Sequence, residues 1–294
     1  APSRGLGDVY KRQLYGRNAV SIVTSRGCPG NCTFCYSKMM WGYKWYAFSP
    51  QRVVSEIENI MTLDPRITGF IIMDDLFATD PKRVEDICSL IINKKLDIIW
   101  NCEIRADMIT ESLLDIMKRA GCKQILVGVE SGSDRLLTMV RKDITADDII
   151  KASNLIHEAG MEVYAMVING LPTETKEDIR STEHMLDTIK PEYTEFLTYM
   201  PYPGTALFES AVENGFAPPE NLEGWGDMGT FSVSSIQDKG LSSYANKMYI
   251  SMEKRTKRKA TINSYLKSIT KDPITAPMRA IRFMMKRKGD NNGA

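Results

Sequence analysis

The feature that most constrains the fold of this chain is a regular alternation of short apolar runs with amphipathic segments between residues 19 and 205. The apolar runs, among them ITGFIIMDD and KQILVGVES, have the length and β-branched content of buried parallel strands. The segments between them carry helix boundary signals: Ser49 and Pro50 begin one helix, and Thr110 and Gly121 bracket another. Six β/α units in strict alternation predict one parallel sheet, because such crossovers are right-handed.

Eight β/α units close a full barrel, whereas six leave it open on one side. We therefore predict an α/β chain with a partial (β/α)6 TIM-like barrel over residues 17–214. Residues 1–16 lack apolar periodicity, and we assign them to an N-terminal remnant or linker, or to an artefact of sequence assembly. Residues 215–294 are predicted to form a mostly helical, basic C-terminal extension.

The basic character of that extension is concentrated from residue 251 onward, where 12 Lys and Arg residues accompany three Asp and Glu residues. A solvated helical face is one explanation. The others are an anionic substrate, nucleic acid or a membrane surface. We retain peripheral membrane contact by this tail. We do not expect a nucleic-acid partner, because the net charge of the whole chain is only +1.

Cysteine usage and hydropathy indicate the cellular compartment. The sequence has no apolar run of bilayer length and no apolar stretch in its first ten residues. Cys88, Cys102 and Cys122 are scattered through apolar segments and are interpreted as core thiols. Disulfide scaffolds belong to much smaller secreted chains. These observations predict a reducing, cytoplasmic location.

Three further thiols lie together on the loop after the first predicted strand, in a C-x3-C-x2-C spacing: Cys28, Cys32 and Cys35. A structural zinc site needs four ligands, and the next cysteine is Cys88, so zinc requires a ligand brought in by folding. A four-iron cluster fits the spacing better, because three thiolates hold three irons and leave the fourth open. The loop also follows the carboxyl end of a strand, where parallel barrels carry their sites.

This spacing, with the aromatic Phe34 before the last cysteine, resembles the signature of the radical S-adenosylmethionine (SAM) superfamily over about residues 17–215. The resemblance implies a [4Fe-4S] cluster on Cys28, Cys32 and Cys35, with Phe34 beside the cofactors. It implies that the open iron chelates SAM and that an electron from the cluster cleaves the sulfonium C–S bond. The resulting 5′-deoxyadenosyl radical abstracts a hydrogen atom from substrate. A flavodoxin or ferredoxin-type electron donor is implied as the partner.

The resemblance also assigns residues at the next two strand ends. Asp74 and Asp75 occupy the position where relatives contact the SAM amino group; an acidic turn before a helix is the alternative. Glu103 and Arg105 end the third strand and share one face, and we expect both to be cofactor-binding residues. We favour Arg105 on the SAM carboxylate or on substrate, and group it with the three cysteines as catalytic. A structural ion pair is the alternative.

Two later strand ends complete the set of SAM contacts that the resemblance implies. Glu130 and Ser131, in GVESGS, are expected beside the ribose and methionine parts of SAM. Ile168 and Gly170, in VINGLPTET, resemble the element that lies near the adenine. Glu174 in the same stretch has the alternative role of an acid in the first turn of a helix.

Within the superfamily, the stretch around the cysteines is most similar to the cobalamin-dependent branch, which includes the anaerobic porphyrin cyclase and C-methylases. Trp41-Gly42, Asp74-Asp75 and GLPTET agree with that branch. The chain has no D-x-H-x-x-G cobalamin signature, and its two histidines lie in LIHEAG and TEHML. Cobalamin is therefore expected only through a domain that this chain does not contain, either because it is genuinely absent or because it was cut off upstream.

The sequence thus predicts a radical SAM enzyme that acts on an unreactive C–H position of a small-molecule or lipid substrate. C-methylation, oxidation and rearrangement all remain open. A radical RNA methylthiotransferase is an alternative suggested by the basic tail. A non-catalytic iron–sulfur or zinc module is an alternative of another class.

Overall fold

The computed structural model describes residues 13–227, together with Tyr244, Lys247, Met248 and residues 250–252. The strands are Gln13–Leu14 (β1), Arg17–Ile22 (β2), Ser25–Arg26 (β3), Tyr46–Ala47 (β4), Ile67–Ile72 (β5), Ile99–Glu103 (β6), Cys122–Glu130 (β7), Glu162–Asn169 (β8) and Tyr193–Thr198 (β9). The helices are Ser37–Trp41 (α1), Pro50–Leu63 (α2), Pro81–Asn93 (α3), Glu111–Arg119 (α4), Asp134–Met139 (α5), Ala146–Glu158 (α6), Lys176–Ile189 (α7), Ala206–Glu213 (α8) and Leu222–Asp227 (α9). One 3-10 turn, Ala106–Met108, follows β6.

Six parallel strands lie in the main sheet in the order β2-β5-β6-β7-β8-β9, with a helix in each connection, and antiparallel β1 lies at the edge beside β2. Each of the six pairs with the next of the six along the chain, so the sheet curls in one direction as right-handed crossovers require. The prediction of a partial (β/α)6 barrel is confirmed. Because all six strands run the same way, their carboxyl ends lie at one edge of the sheet.

The sheet begins four residues earlier than the predicted boundary at residue 17. Gln13–Leu14 pairs antiparallel with β2, and Leu14 is buried against Ala19 and Ile99. A two-residue strand is too short to show an alternating pattern, which is why hydrophobic periodicity does not predict it. The rest of the predicted N-terminal remnant, residues 1–12, lies outside the described residues.

The predicted helix boundaries follow from local capping. Ser49 Oγ accepts a hydrogen bond from Arg52 N at 3.3 Å, and Thr110 Oγ1 accepts one from Leu113 N at 3.3 Å. The helices cover the outer face of the sheet, where Phe77 and Trp100 meet edge to face at 5.6 Å. The scattered cysteines Cys88, Cys102 and Cys122 are fully buried in this core.

The C-terminal extension is described only in part. Phe216 is buried and contacts Phe208, and Trp225 packs beside both rings. Met248 and Met252 are buried in the main core, so this short helical stretch packs on the barrel. Most of the predicted basic tail, residues 253–294, lies outside the described residues. In the part of the chain that the structure does describe, no helix combines the length and hydropathy that crossing a bilayer requires.

The loop that carries the three cysteines is closed at its base by a two-stranded ribbon. In this ribbon Ser25 pairs with Ala47 and Arg26 pairs with Tyr46. Gly27 then turns the chain with φ +84°, and a Cβ there would lie 2.1 Å from Lys44 O. Only glycine fits this position, because the conformation is left-handed and the opposing atom belongs to the backbone. The sequence of the loop base therefore fixes where the cysteine segment begins.

We predict that Gly27→Ala forces the two sides of the loop apart, so that the protein loses most of its iron after anaerobic reconstitution. Gly16→Ala is the matched control: Gly16 also has a positive φ, +79°, but a Cβ there meets nothing within 4 Å. This control carries only the conformational cost of about 1 kcal/mol. Iron per folded chain is the measurement, and equal iron loss in both variants would contradict the role of the Gly27–Lys44 contact.

Candidate cofactor site

The residues singled out from the sequence gather at the carboxyl edge of the sheet. The cysteine loop follows β2, and the other candidates end or follow the strands after it: Asp74 and Asp75 after β5, Glu103 and Arg105 at β6, Glu130 and Ser131 at β7, Ile168 and Gly170 at β8. This edge is where parallel α/β sheets bind ligands. Hydrogen bonds and side-chain contacts show which of these residues meet.

The three thiols are partly exposed, and the loop between them is anchored by backbone hydrogen bonds. Thr33 N donates to Val140 O at 2.9 Å, and Leu207 N donates to Thr33 O at 3.0 Å. Gly30 N donates to Cys28 Sγ at 3.3 Å. The loop is thus attached to the end of α5 and the start of α8 as well as to its own ribbon.

The donor set suits a cluster better than one ion. Among the described residues, no three His, Cys, Asp or Glu side chains are grouped as a single metal ion requires. A four-iron cluster makes no such demand, because each thiolate binds a different iron. Burial raises the pKa of Cys32, and the charges of Lys142 and Arg105 partly offset that rise. Iron bound at these sulfurs would favour the thiolate form.

Arg105 lies between the cysteine loop and the sheet. Its Nε and Nη2 each lie 3.0 Å from a carboxylate oxygen of Asp107, and Nη2 also donates to Lys142 O at 2.7 Å. Its Nη1 is 3.9 Å from Cys32 Sγ. Arg105 therefore forms an ion pair with Asp107 and not with Glu103, while its Nη1 edge points to the cysteines.

Lys142 is a site residue that the sequence analysis missed. Its Nζ lies 2.7 Å from Glu130 Oε1, and both side chains are almost completely buried. Burial alone lowers the pKa of Lys142, but Glu130 and Cys32 outweigh it and raise the value overall. Gly128 makes room for the pair, since a Cβ there would lie 2.6 Å from Glu130 Oε1. Lys142 belongs to no motif, and nothing local distinguishes it from a surface lysine.

The two aspartates after β5 hold the chain that enters the cysteine loop. The buried carboxylate of Asp74 accepts hydrogen bonds of 2.6 Å from Thr24 N, Thr24 Oγ1 and Ser25 Oγ. Asp75 Oδ2 accepts one of 2.6 Å from Gly27 N. Contact of either residue with the SAM amino group stays a prediction, and the bonds present give both carboxylates a positioning role.

Arg83 is a second residue without a sequence signal, because it lies in an ordinary helical pattern on α3. Its buried guanidinium donates from Nε to Phe48 O at 2.9 Å and from Nη2 to Thr24 O at 2.8 Å. Burial lowers the pKa of Arg83, and the negative charges of Asp74 and Asp80 oppose that effect. Arg83 therefore ties together the two chain segments on either side of the ribbon.

The remaining candidates divide into apolar and hydrogen-bonded groups. Phe34 packs against the apolar cluster that contains Ile168. Gly170 has φ +76° and donates from N to Glu174 Oε2 at 2.8 Å. Ser131 is buried, and its Oγ accepts from Ser133 N at 3.1 Å. Their predicted SAM contacts stay predictions. Phe34 and Ile168 are brought into one cluster, whereas Ser131 bonds within its own turn and, through Oγ, to Thr182 Oγ1 on α7 at 3.3 Å.

Glu103 differs from the other acids at this edge. Burial, followed by repulsion from Glu130, raises its pKa to about 7. Its carboxylate has no hydrogen-bond partner among the residues that the structure describes. A carboxyl group in this state exchanges a proton near neutral pH and is free to bind a ligand.

We predict that Glu103 makes the cofactor-free protein less stable as pH rises. The pKa of Glu103 is about 7 in the folded protein, above the ordinary value of 4.5. The stability that protonated Glu103 contributes is therefore complete below pH 4.5 and is lost as the pH rises to about 7. Glu103→Gln should therefore gain stability over wild type across that interval. Urea midpoints measured at several pH values test this. As the control, Glu213→Gln, at an exposed position on α8, should give the same urea midpoints as wild type at every pH. If Glu103→Gln also matched wild type at every pH, the argument from burial would be wrong.

Comparison with known proteins places this arrangement in a family. The profile of the radical SAM superfamily matches residues 22–186. An uncharacterized methyltransferase of Pyrococcus horikoshii is 32% identical over 237 residues, which cover 80% of this chain and 51% of the relative. The anaerobic magnesium-protoporphyrin IX monomethyl ester cyclase of Rubrivivax gelatinosus is 29% identical over 187 residues, 63% of this chain and 33% of the cyclase.

Among solved structures, the fold resembles the radical SAM methyltransferase TsrM of Kitasatospora setae, determined with cobalamin and a [4Fe-4S] cluster. The TM-score is 0.61 at 19% identity, with 70% of this chain and 41% of TsrM covered. The chain therefore spans about half the length of the Pyrococcus relative and less of the other two. Since the family profile covers more than half of the chain, including all three clustered cysteines, this protein belongs to the radical SAM superfamily of enzymes.

Proposed function

We propose that this chain is the catalytic barrel of an enzyme that reductively cleaves SAM to a 5′-deoxyadenosyl radical and acts on an unreactive C–H position of a small-molecule or lipid substrate. The observation that carries the proposal is the cysteine triad at the carboxyl end of β2, inside the region that the family profile matches. A [4Fe-4S] cluster, when bound by Cys28, Cys32 and Cys35, supplies one electron to the sulfonium of SAM.

The protein's own residues hold and neutralise this site. Arg105 and Lys142 place two positive charges beside Cys32, which stabilises negative charge on the thiolates. Arg105 Nη1, which the Asp107 pair does not use, is available for the carboxylate of SAM. Apolar side chains are exposed at the neighbouring strand ends, with Val23 at 42% and Met73 at 58%, and they favour an apolar part of the substrate.

The outcome of the reaction is proposed from the relatives. The cyclase and the TsrM methyltransferase support C-methylation, oxidation or rearrangement, and the cobalamin in TsrM supports a cobalamin-dependent reaction here. In this proposal cobalamin binds through a domain other than the barrel described above. The proposed electron donor is a flavodoxin or ferredoxin, and the proposed location is the cytoplasm, a reducing compartment that keeps the thiols free to bind iron.

The cysteine assignment predicts that anaerobic reconstitution gives about four iron and four sulfide per chain. With SAM and a strong reductant, 5′-deoxyadenosine should form. Cys28→Ala, Cys32→Ala and Cys35→Ala should each lose both signals, because each thiolate holds one iron. Cys88→Ala, at a buried cysteine of α3, should keep them. SAM cleavage by a folded triple variant, or stoichiometric zinc in protein purified without air, would refute the assignment.

The placement of Arg105 predicts a separate effect on SAM. Arg105→Ala should weaken SAM binding by roughly 1.5–3 kcal/mol, the value of a charge-assisted hydrogen bond, while iron content stays intact. Arg17→Ala is the control, because Arg17 also forms an arginine–aspartate pair, with Asp97, at the opposite end of the strands. Equilibrium binding to the reconstituted protein is the measurement. Unchanged affinity would assign Arg105 to substrate or to the ion pair alone.

A further inference from the structure

The outer side of the cysteine loop is basic and aromatic. Between residues 24 and 55 the chain has four basic residues and no Asp or Glu. Five large apolar side chains of this stretch are 45–60% exposed: Tyr36, Met39, Met40, Tyr43 and Tyr46. Tyr36 contacts the Tyr202 ring at 5.5 Å and Met39 lies beside Gly204, so these two residues border the segment before α8. We call the other three, with Arg26, Lys38, Trp41 and Lys44, the outer loop face. Tyr, Trp, Met and Arg are the residue types enriched at protein interfaces.

A pocket of about 580 Å³ opens in this face. Its lining includes Arg26, Met40, Trp41, Lys44, Tyr46 and Phe48. The walls are aromatic and aliphatic, and two cationic side chains stand at its rim. Such a concavity can receive a side chain or an apolar edge of a partner whose surrounding surface is acidic.

The cations of this face are not neutralised within the part of the chain that the structure describes. Arg26 lies over the Trp41 ring at 5.9 Å, and Lys38 lies over the Tyr43 ring at 4.5 Å. No ion pair to an acid is formed there by Arg26, Lys38 or Lys44. The nearby carboxylate of Asp75 is bound to Gly27 N. Uncompensated positive charge on an exposed apolar surface attracts an acidic partner.

The outer loop face is also next to the thiols along the chain and in space. A Cβ on Gly27, which precedes Cys28, would lie 3.1 Å from Trp41 Cβ. Lys38 follows Cys35 by three residues. Cys32 Sγ lies 3.9 Å from Arg105 Nη1 at the strand ends. The outer loop face is therefore a solvent-exposed surface beside the segment that carries the cysteines.

We propose that the outer loop face is the docking surface for a small acidic electron-transfer protein of the flavodoxin or ferredoxin class. The inference rests on the proposed function, in which each SAM cleaved consumes one electron. The donor is oxidised by one electron, the site held by the cysteines is reduced by one, and no atom is exchanged. A compact patch with a cationic rim suits the small, transient interfaces of electron-transfer partners.

The test measures reduction of the reconstituted full chain by a purified, fully reduced bacterial flavodoxin, in anaerobic stopped flow. Iron and sulfide are assayed first, and bleaching of the cluster absorbance then gives the rate. At low salt, the double variant Arg26→Glu/Lys44→Glu should be reduced at least about tenfold more slowly than wild type, because steering and contact are both lost. High salt should bring the reduction rates of the double variant and wild type closer together, because it screens the charges. Dithionite should reduce both proteins equally.

The matched control reverses the charge of two exposed lysines far from the loop, as Lys95→Glu/Lys123→Glu, and changes the net charge by the same amount. This control should behave as wild type, and equal slowing in both double variants would overturn the proposal in favour of a general charge effect. A chain that binds no cluster would overturn the proposed function itself. The docking proposal alone would be overturned if dithionite reduces the cluster-loaded chain but flavodoxin and ferredoxin do not. The outer loop face would then be left to another domain or to an anionic small molecule.

Discussion

The closure of the cysteine loop at its base is the constraint on which the rest of the site depends. Gly27 lets Lys44 O approach, and the ribbon of β3 and β4 then holds the two ends of the loop together. The carboxylate of Asp74 and the guanidinium of Arg83 both form hydrogen bonds with Thr24, which lies in the segment that enters the loop. Three thiols on a flexible loop would lose much conformational entropy on binding a cluster, and this prior closure removes part of that cost.

Loop closure is tied to the barrel through elements distant in sequence. Asp74 follows β5, Arg83 lies on α3, and Thr33 bonds to the residue after α5. Asp74 and Arg83 belong to one β/α unit and Val140 belongs to another, so the loop geometry depends on two units that are distant from each other in sequence. The positions of the thiols are thus a property of tertiary structure, although the thiols themselves are close in sequence.

The difference between local and long-range interactions explains which features could be predicted from the sequence. Strand and helix order followed from periodicity, and boundaries followed from local caps such as Ser49 and Thr110, because those interactions span three or four residues. Lys142 and Arg83 could not be predicted, since their partners arise from long-range packing and their local surroundings are unremarkable. The same holds for Asp74: its acidic turn was visible, but its three hydrogen bonds to Thr24 and Ser25 needed the fold.

Positively charged side chains lie on both sides of the loop that carries the cysteine triad. Arg105 and Lys142 lie on the inner side, and Arg26, Lys38 and Lys44 lie on the outer side. Positive charge on each side would lower the electrostatic cost of adding an electron to a cluster held by the cysteines. Glu103, with its pKa raised to about 7, avoids a second full negative charge beside Glu130 at neutral pH. The barrel therefore keeps both acids at the strand ends without two full negative charges there at neutral pH.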